Sequence, residues 1–276
     1  MNTPVVAGLD GSAASPRCVA WAVTEASLRG RPLELVHASM MLYRDGSLSE
    51  AAYEGLEEER TRLLTEAKAY ALGLQPGLEV RIRLLAQEPG RALVFESEHA
   101  ELVVVGTSGL ENFGGPLLGS VALRLVAGAR CPVLAITDGA PDADTAPAEV
   151  VVGVAERDRE SRAIGWAFEE ASLRGAHLSA IHALGGEFGA GREKVEEDTS
   201  LAEALAGWRS KYPDVRVSRA IVDQHPARAL VAASDQAALV VVGATHRHGV
   251  TELALGSVGH ALLHQALSAV VIAPEA

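Results

Sequence analysis

The residues with the clearest chemical spacing follow the apolar run Leu102 to Val105. They read GTSGLENFGGPLLGSV: Gly106, two residues, Gly109, nine residues, then Gly119 and Ser120. Gly106 and Gly109 permit close backbone approach or positive φ. Gly119 and Ser120 open a helical stretch from Val121 to Ala127, whose free N–H groups and dipole favour a phosphate, and Ser120 adds a hydroxyl. The pattern lacks the Gly-Lys-Ser/Thr of a Walker A loop and is not the dinucleotide GxGxxG, so a motor ATPase or dehydrogenase is disfavoured. It recurs in part as Gly243, Gly256 and Ser257.

A second set lies at Asp10, Gly11 and Ser12, directly after the apolar run Val5 to Leu9. In an open parallel sheet ligands bind outside the carboxyl ends of the strands, where the Asp10 carboxylate accepts hydrogen bonds from ribose or base groups. The same three residues also suit a turn leading into a helix N-cap. His246, His248, His260 and His264 include a pair four apart on an expected helix, but no companion carboxylate or cysteine pattern supports a metal site, and they read as surface or packed residues. Cys18 and Cys131 stand outside any CxxC arrangement and read as buried free thiols. No base, metal carboxylates or charge-stabilising cations stand out for hydrolysis or phosphotransfer, and no Ser/His/Asp or Cys/His grouping sits at the motif-bearing strand ends. A binding protein is therefore expected rather than an enzyme.

The elements that hold these residues occur twice. EASLRG at Glu25 to Gly30 returns at Glu170 to Gly175, an offset of 145 (25 to 170) kept by Trp21 and Trp166 and by His37 and His182. RALV at Arg91 and Arg228, and VVVG ending at Gly106 and Gly243, are offset by 137 (91 to 228), so the second copy is eight residues shorter in its middle. The loss falls between Met40 and Leu78, where EGLEEERTRLLTEAKAYAL has helical periodicity. Short apolar runs at Val5 to Leu9, Leu33 to Val36, Val80 to Leu84, Leu102 to Val105 and Val133 to Ile136 alternate with amphipathic stretches. Such alternation predicts an α/β fold, each copy a parallel five-stranded Rossmann-like sheet flanked by helices on both faces. The segment TDGAPDADTAPAE has no periodicity and reads as a linker, placing a boundary near Thr145 and domains at 1–138 and 148–276.

Composition narrows the partners. The 276 residues are 48% hydrophobic and 22% charged, as expected of a packed globular chain. With 36 acidic against 24 basic residues the formal charge is -12, a field that repels nucleic acid and anionic lipid. A small anion remains acceptable where local N–H groups hold it. The opening MNTPVVAGLD carries no signal-peptide pattern, and the apolar runs are far shorter than the roughly 20 residues of a bilayer span, so a cytoplasmic protein with no membrane partner is expected.

Taken together, the glycine spacing, the opening VAGLDGSAAS with Trp21 following, the VHA element at Val36 to Ala38 and the closing ARCPVLAI around Pro132 closely resemble the universal stress protein family, in both halves. The resemblance implies an adenine nucleotide alpha hydrolase-like fold and a site for ATP, with Mg as the metal that commonly accompanies the nucleotide. It implies Asp10, with Gly11 and Ser12, near the adenosine, Ala38 flanking the adenine, Val105 and Gly106 at the fourth strand end, and Gly109, Gly119, Ser120 and Val121 on the phosphate side. It also implies a homodimer or an intramolecular pseudo-dimer, and a regulatory role in stress; the alternatives are a slow ATPase or a nucleotide-independent scaffold. The second copy departs from the pattern, with Ala155, Glu156 and Arg157 opposite Asp10, Gly11 and Ser12, and His246 where a glycine is expected. Gly243, Gly256 and Ser257 persist, so the nucleotide is expected mainly in the first copy.

Overall fold

The computed structural model describes residues 3–40, 49–108, 119–155, 162–185, 192–244 and 255–274. It divides into two compact units, Met1–Ile136 and Thr137–Ala276. The first contains β1 (Val5–Gly8), α1 (Ser15–Arg29), β2 (Leu33–Ala38), α2 (Glu50–Leu74), β3 (Val80–Leu85), α3 (Pro89–Glu96), β4 (Leu102–Gly106), α4 (Ser120–Gly128) and β5 (Val133–Ile136). The second contains β6 (Glu149–Gly153), α5 (Arg162–Arg174), β7 (His177–Ala183), α6 (Arg192–Lys211), β8 (Val217–Val222), α7 (Pro226–Ser234), β9 (Leu239–Gly243), α8 (Ser257–Gln265) and β10 (Ala269–Ala273).

Within the first unit the strands lie in the order β3-β2-β1-β4-β5 and pair in parallel, with Val5 opposite both Leu33 and Leu102. The second repeats the order as β8-β7-β6-β9-β10, again parallel. β1 and β4 are almost wholly buried, which their unbroken Val-rich runs require of central strands covered on both faces. β2 extends two residues past its apolar run because the ladder to β3 continues through His37–Leu84 and Ala38–Leu85, whatever the polarity of the side chains. The chain runs from β1 outward to β3, then returns to lay β4 on the other side of β1. That reversal makes the carboxyl ends of β1 and β4 the switch point of the sheet, the place where open α/β sheets bind ligands.

The repeated EASLRG segment has a structural meaning: it ends α1 and α5. Gly30 and Gly175 adopt left-handed φ values of 60° and 61°, and the Gly30 N–H donates to the carbonyls of Ala26 and Ser27. Glu25 and Glu170 are fully buried and meet the arginine one turn on, with Arg29 Nε 3.3 Å and Arg174 Nε 2.9 Å from their carboxylates. A buried carboxylate is retained because it is paired and hydrogen-bonded. Trp21, on α1, has no exposure, and α1 covers β1 and β4. Cys18 and Cys131 are buried free thiols, and burial pushes both pKa values up to about 12, so neither is a thiolate at neutral pH. Among the described residues no helix is long and apolar enough to cross a membrane.

Candidate functional site

The Asp10 loop is built by its own side chain. Oδ1 of Asp10 accepts the Ser12 N–H at 2.9 Å and the Ser15 hydroxyl at 3.3 Å, closing an Asx turn that leads into α1. Among the described residues Oδ2 accepts nothing, so the carboxylate keeps one oxygen for a ligand while the other fixes its direction. The turn and ligand readings are thus compatible. Gly11 sits at φ 81°, which favours glycine, and a Cβ there would come 2.5 Å from Leu63 Cδ1 of α2, the end of a flexible side chain that could shift aside. That approach also brings α2 to the edge of the site.

The loop after β4 is anchored by backbone. Thr107 N–H donates to Ile136 O at 3.0 Å, and Gly119 N–H donates to Thr107 O at 2.8 Å, which sets the start of α4 directly on the end of β4. Gly119 is the N-cap of α4, with φ -59° and ψ 134°, and as glycine it has no side chain of its own to cap the helix. The first intrahelical bond is Leu123 N–H to Gly119 O at 3.1 Å, so the N–H groups of the first turn, at Ser120, Val121 and Ala122, have no intrahelical acceptor. Ser120 is exposed and Val121 half-buried. A Cβ on Gly119 would sit 3.3 Å from Thr107 O. Gly106 does not have positive φ; a Cβ there would meet only Ser108 O at 3.5 Å and Ala14 Cβ at 3.8 Å. Against the described residues a side chain there would make ordinary van der Waals contacts, so the glycine relieves no strain.

Asp10, Gly11, Ser12, Val105, Gly106, Gly119, Ser120 and Val121 accordingly gather on one edge of the first unit's sheet, with Ala38 at the end of neighbouring β2. Gly109 lies outside the described residues. In the second unit Gly256 caps α8 in the same way, with φ -59°, ψ 157° and no side-chain cap, and His260 N–H to Gly256 O at 3.0 Å begins its ladder. Gly243 ends β9, followed by Ala244 N–H to Ala273 O at 2.8 Å, and Ser257 is exposed. Ala155 follows β6 where Asp10 follows β1, so the second edge keeps the helix opening without the carboxylate. Glu156, Arg157, His246 and His248 lie outside the described residues. The His260 and His264 rings lie 4.6 Å apart between centroids, tilted at 43°, and no group of three or more His, Cys, Asp or Glu side chains among the described residues is arranged to hold a metal.

The sequence marks His37 as part of the repeat and of the VHA element but gives it no role in the site, yet it belongs to this edge. Its Nδ1 lies 2.8 Å from Leu9 O, immediately before Asp10, and its Nε2 is buried with no hydrogen-bond partner among the described residues, a state that costs about 1–3 kcal/mol. Burial pushes its pKa below the ordinary 6.5; the Leu9 carbonyl raises it, Arg60 on α2 lowers it, and Asp10 and Glu59 raise it. The neutral ring is the native form. The unfolded chain therefore binds a proton that the folded chain refuses, and stability is full above about pH 6.5 and declines as pH falls from there toward the folded pKa. Urea titrations between pH 7.5 and 5.5 are expected to show a steeper acid loss for the wild type than for His37→Phe; equal slopes would remove His37 as the cause.

Two doubly wound parallel sheets, each opening an uncapped helix from the end of its fourth strand, define a tandem α/β protein of the Rossmann-like class. The universal stress protein family model matches residues 1–137 and 148–274, and the chain belongs to that family. It is 39% identical over 287 residues to Universal stress protein Rv2005c of Mycobacterium tuberculosis, covering 98% of this chain and 97% of that one. It is 34% identical over 281 residues to a universal stress protein of Mycolicibacterium smegmatis, with 97% and 96% covered. A universal stress protein from Archaeoglobus fulgidus has a crystal structure similar over all of this chain and 97% of its own, with a TM-score of 0.76 at 17% identity, which speaks for the fold.

Proposed function

We propose that this universal stress protein is an ATP-binding regulatory protein whose nucleotide is held mainly by the first unit and is not turned over. The observation that carries this reading is the opening of α4: a helix start whose N-cap, Gly119, has no side chain to cap it, set on the end of β4, on the same sheet edge as an Asp10 carboxylate with one oxygen free among the described residues. Phosphates suit the first, because the N–H groups and the dipole of a helix start both favour negative charge. A ribose suits the second, because a carboxylate oxygen accepts hydroxyl hydrogen bonds. Magnesium enters this reading with the triphosphate rather than on protein carboxylates.

In the second unit the absence of a carboxylate at Ala155 supports weaker binding or none. Regulation follows from linkage: a ligand bound only by the native state stabilises it by about 2.7 kcal/mol at a hundred times its Kd, so ATP level is transmitted as stability of the first unit. The test is the nucleotide released on denaturing the purified protein, together with calorimetric titration of the stripped protein. About one ATP per chain is expected, without release of ADP beyond the bound stoichiometry. Two per chain would make the units equivalent, sustained turnover would make the protein a slow ATPase, and no binding would leave a scaffold.

A further inference from the structure

His37 poses a problem that the phosphate and ribose contacts leave unsolved. The ring is 5% exposed. Leu9 O only accepts, so Nδ1, 2.8 Å away, carries the ring proton and Nε2 keeps a lone pair. Nε2 is the one buried side-chain nitrogen or oxygen among the described residues with no hydrogen-bond partner. The second unit makes the contrast. There His182 Nδ1 makes the same bond to Val154 O at 2.8 Å, but its Nε2 faces the Glu197 carboxylate of α6 at 3.5 Å. At the 137-residue offset the first copy carries Arg60 in place of Glu197, and Arg60 acts on His37 through its charge without a hydrogen bond. The first unit has thus exchanged the group that faces this ring nitrogen for one that leaves its lone pair without a partner among the described residues.

The strand order says what reaches it. The helix start that suits phosphate stands at β4, Asp10 at β1 and His37 at β2, and these three strands are consecutive neighbours. Two strand spacings amount to roughly 10 Å, about the span from the phosphates of a nucleotide to its base. A nucleotide with its phosphates on α4 and its ribose at Asp10 lays its base at the end of β2. Resting on the nucleotide reading above, we propose that His37 Nε2 accepts a hydrogen bond from the exocyclic amine of the purine, so that His37 distinguishes 6-amino from 6-oxo purines. A 6-oxo purine would set its own acceptor against the lone pair, leaving both unpaired.

ATP and ITP differ in the group at purine position 6 and test this on the full chain. The wild type is expected to bind ATP about tenfold more tightly than ITP, and His37→Phe to lose that ratio by weakening ATP alone. Because the substitution also removes the bond to Leu9, the second readout uses the unaltered protein: in 15N-histidine-labelled chain the His37 Nε2 resonance, assigned by its absence from His37→Phe, should move on adding ATP or 2′-deoxy-ATP and stay put with ITP. Equal affinities for ATP and ITP, the same shift with ITP, or a shift lost with 2′-deoxy-ATP would overturn the assignment while leaving nucleotide binding intact. Failure of the wild type to bind either nucleotide would overturn the nucleotide reading itself.

Discussion

Gly119→Val is expected to lower ATP affinity by about 100-fold, or about 2.7 kcal/mol, while leaving the protein folded. The native φ of -59° and ψ of 134° suit a β-branched residue, so the substitution does not strain the backbone. Its Cβ would stand 3.3 Å from Thr107 O, which a shift of a few tenths of an ångström accommodates, at a stability cost of about 1 kcal/mol. The methyl groups, however, project where the N–H groups of the first turn of α4 must meet the phosphates, and a ligand held off by more than an ångström loses those charge-assisted bonds. Gly119→Ala, with one carbon, should cost about tenfold. Calorimetry checks both, with far-UV circular dichroism as the folding control; wild-type affinity in the valine variant would place the phosphates elsewhere.

Trp21→Ala carries the largest expected stability effect, a loss of about 3–5 kcal/mol in urea unfolding. The indole has no exposed surface and lies on α1, the helix that covers β1 and β4. Its removal leaves a void that the flanking strands, held in parallel ladders on both sides, fill only partly. For a domain whose whole stability is about 5–15 kcal/mol this is a large share. α1 also begins from the Asp10 turn, through the Ser15 hydroxyl and the Asp10 carboxylate, so a loosened helix should weaken nucleotide binding as well. Trp166, at 9% exposure on α5, is the matching position and should behave similarly in its own unit. A loss below about 1.5 kcal/mol for Trp21→Ala would contradict the packing described.

Much of the fold is legible in the residues because it depends on local periodicity. Short Val-rich apolar runs mark β1 and β4, and β2 outlasts its apolar run because backbone pairing continues through His37 and Ala38. The glycine pattern likewise announces the α4 start, since an uncapped helix opening and a close backbone approach both exclude side chains. The reason for each glycine was less legible. Gly11 carries the positive φ and meets Leu63, more than fifty residues away, whereas Gly106 needs no unusual backbone. Spacing shows that a Cβ is absent, not what would have struck it.

The sequence by itself determined the duplication, the α/β alternation, the family and the candidate phosphate loop, all of which rest on residue types repeated at fixed intervals. Only the tertiary structure decided how Asp10 divides its two oxygens, that Thr107 O anchors Gly119, and that His37 and His182, at matching positions of the repeat, differ in what meets Nε2. Hydrogen-bond satisfaction depends on groups brought together from distant segments, and the exchange of Glu197 for Arg60 matters only once α2 and α6 are packed beside those rings.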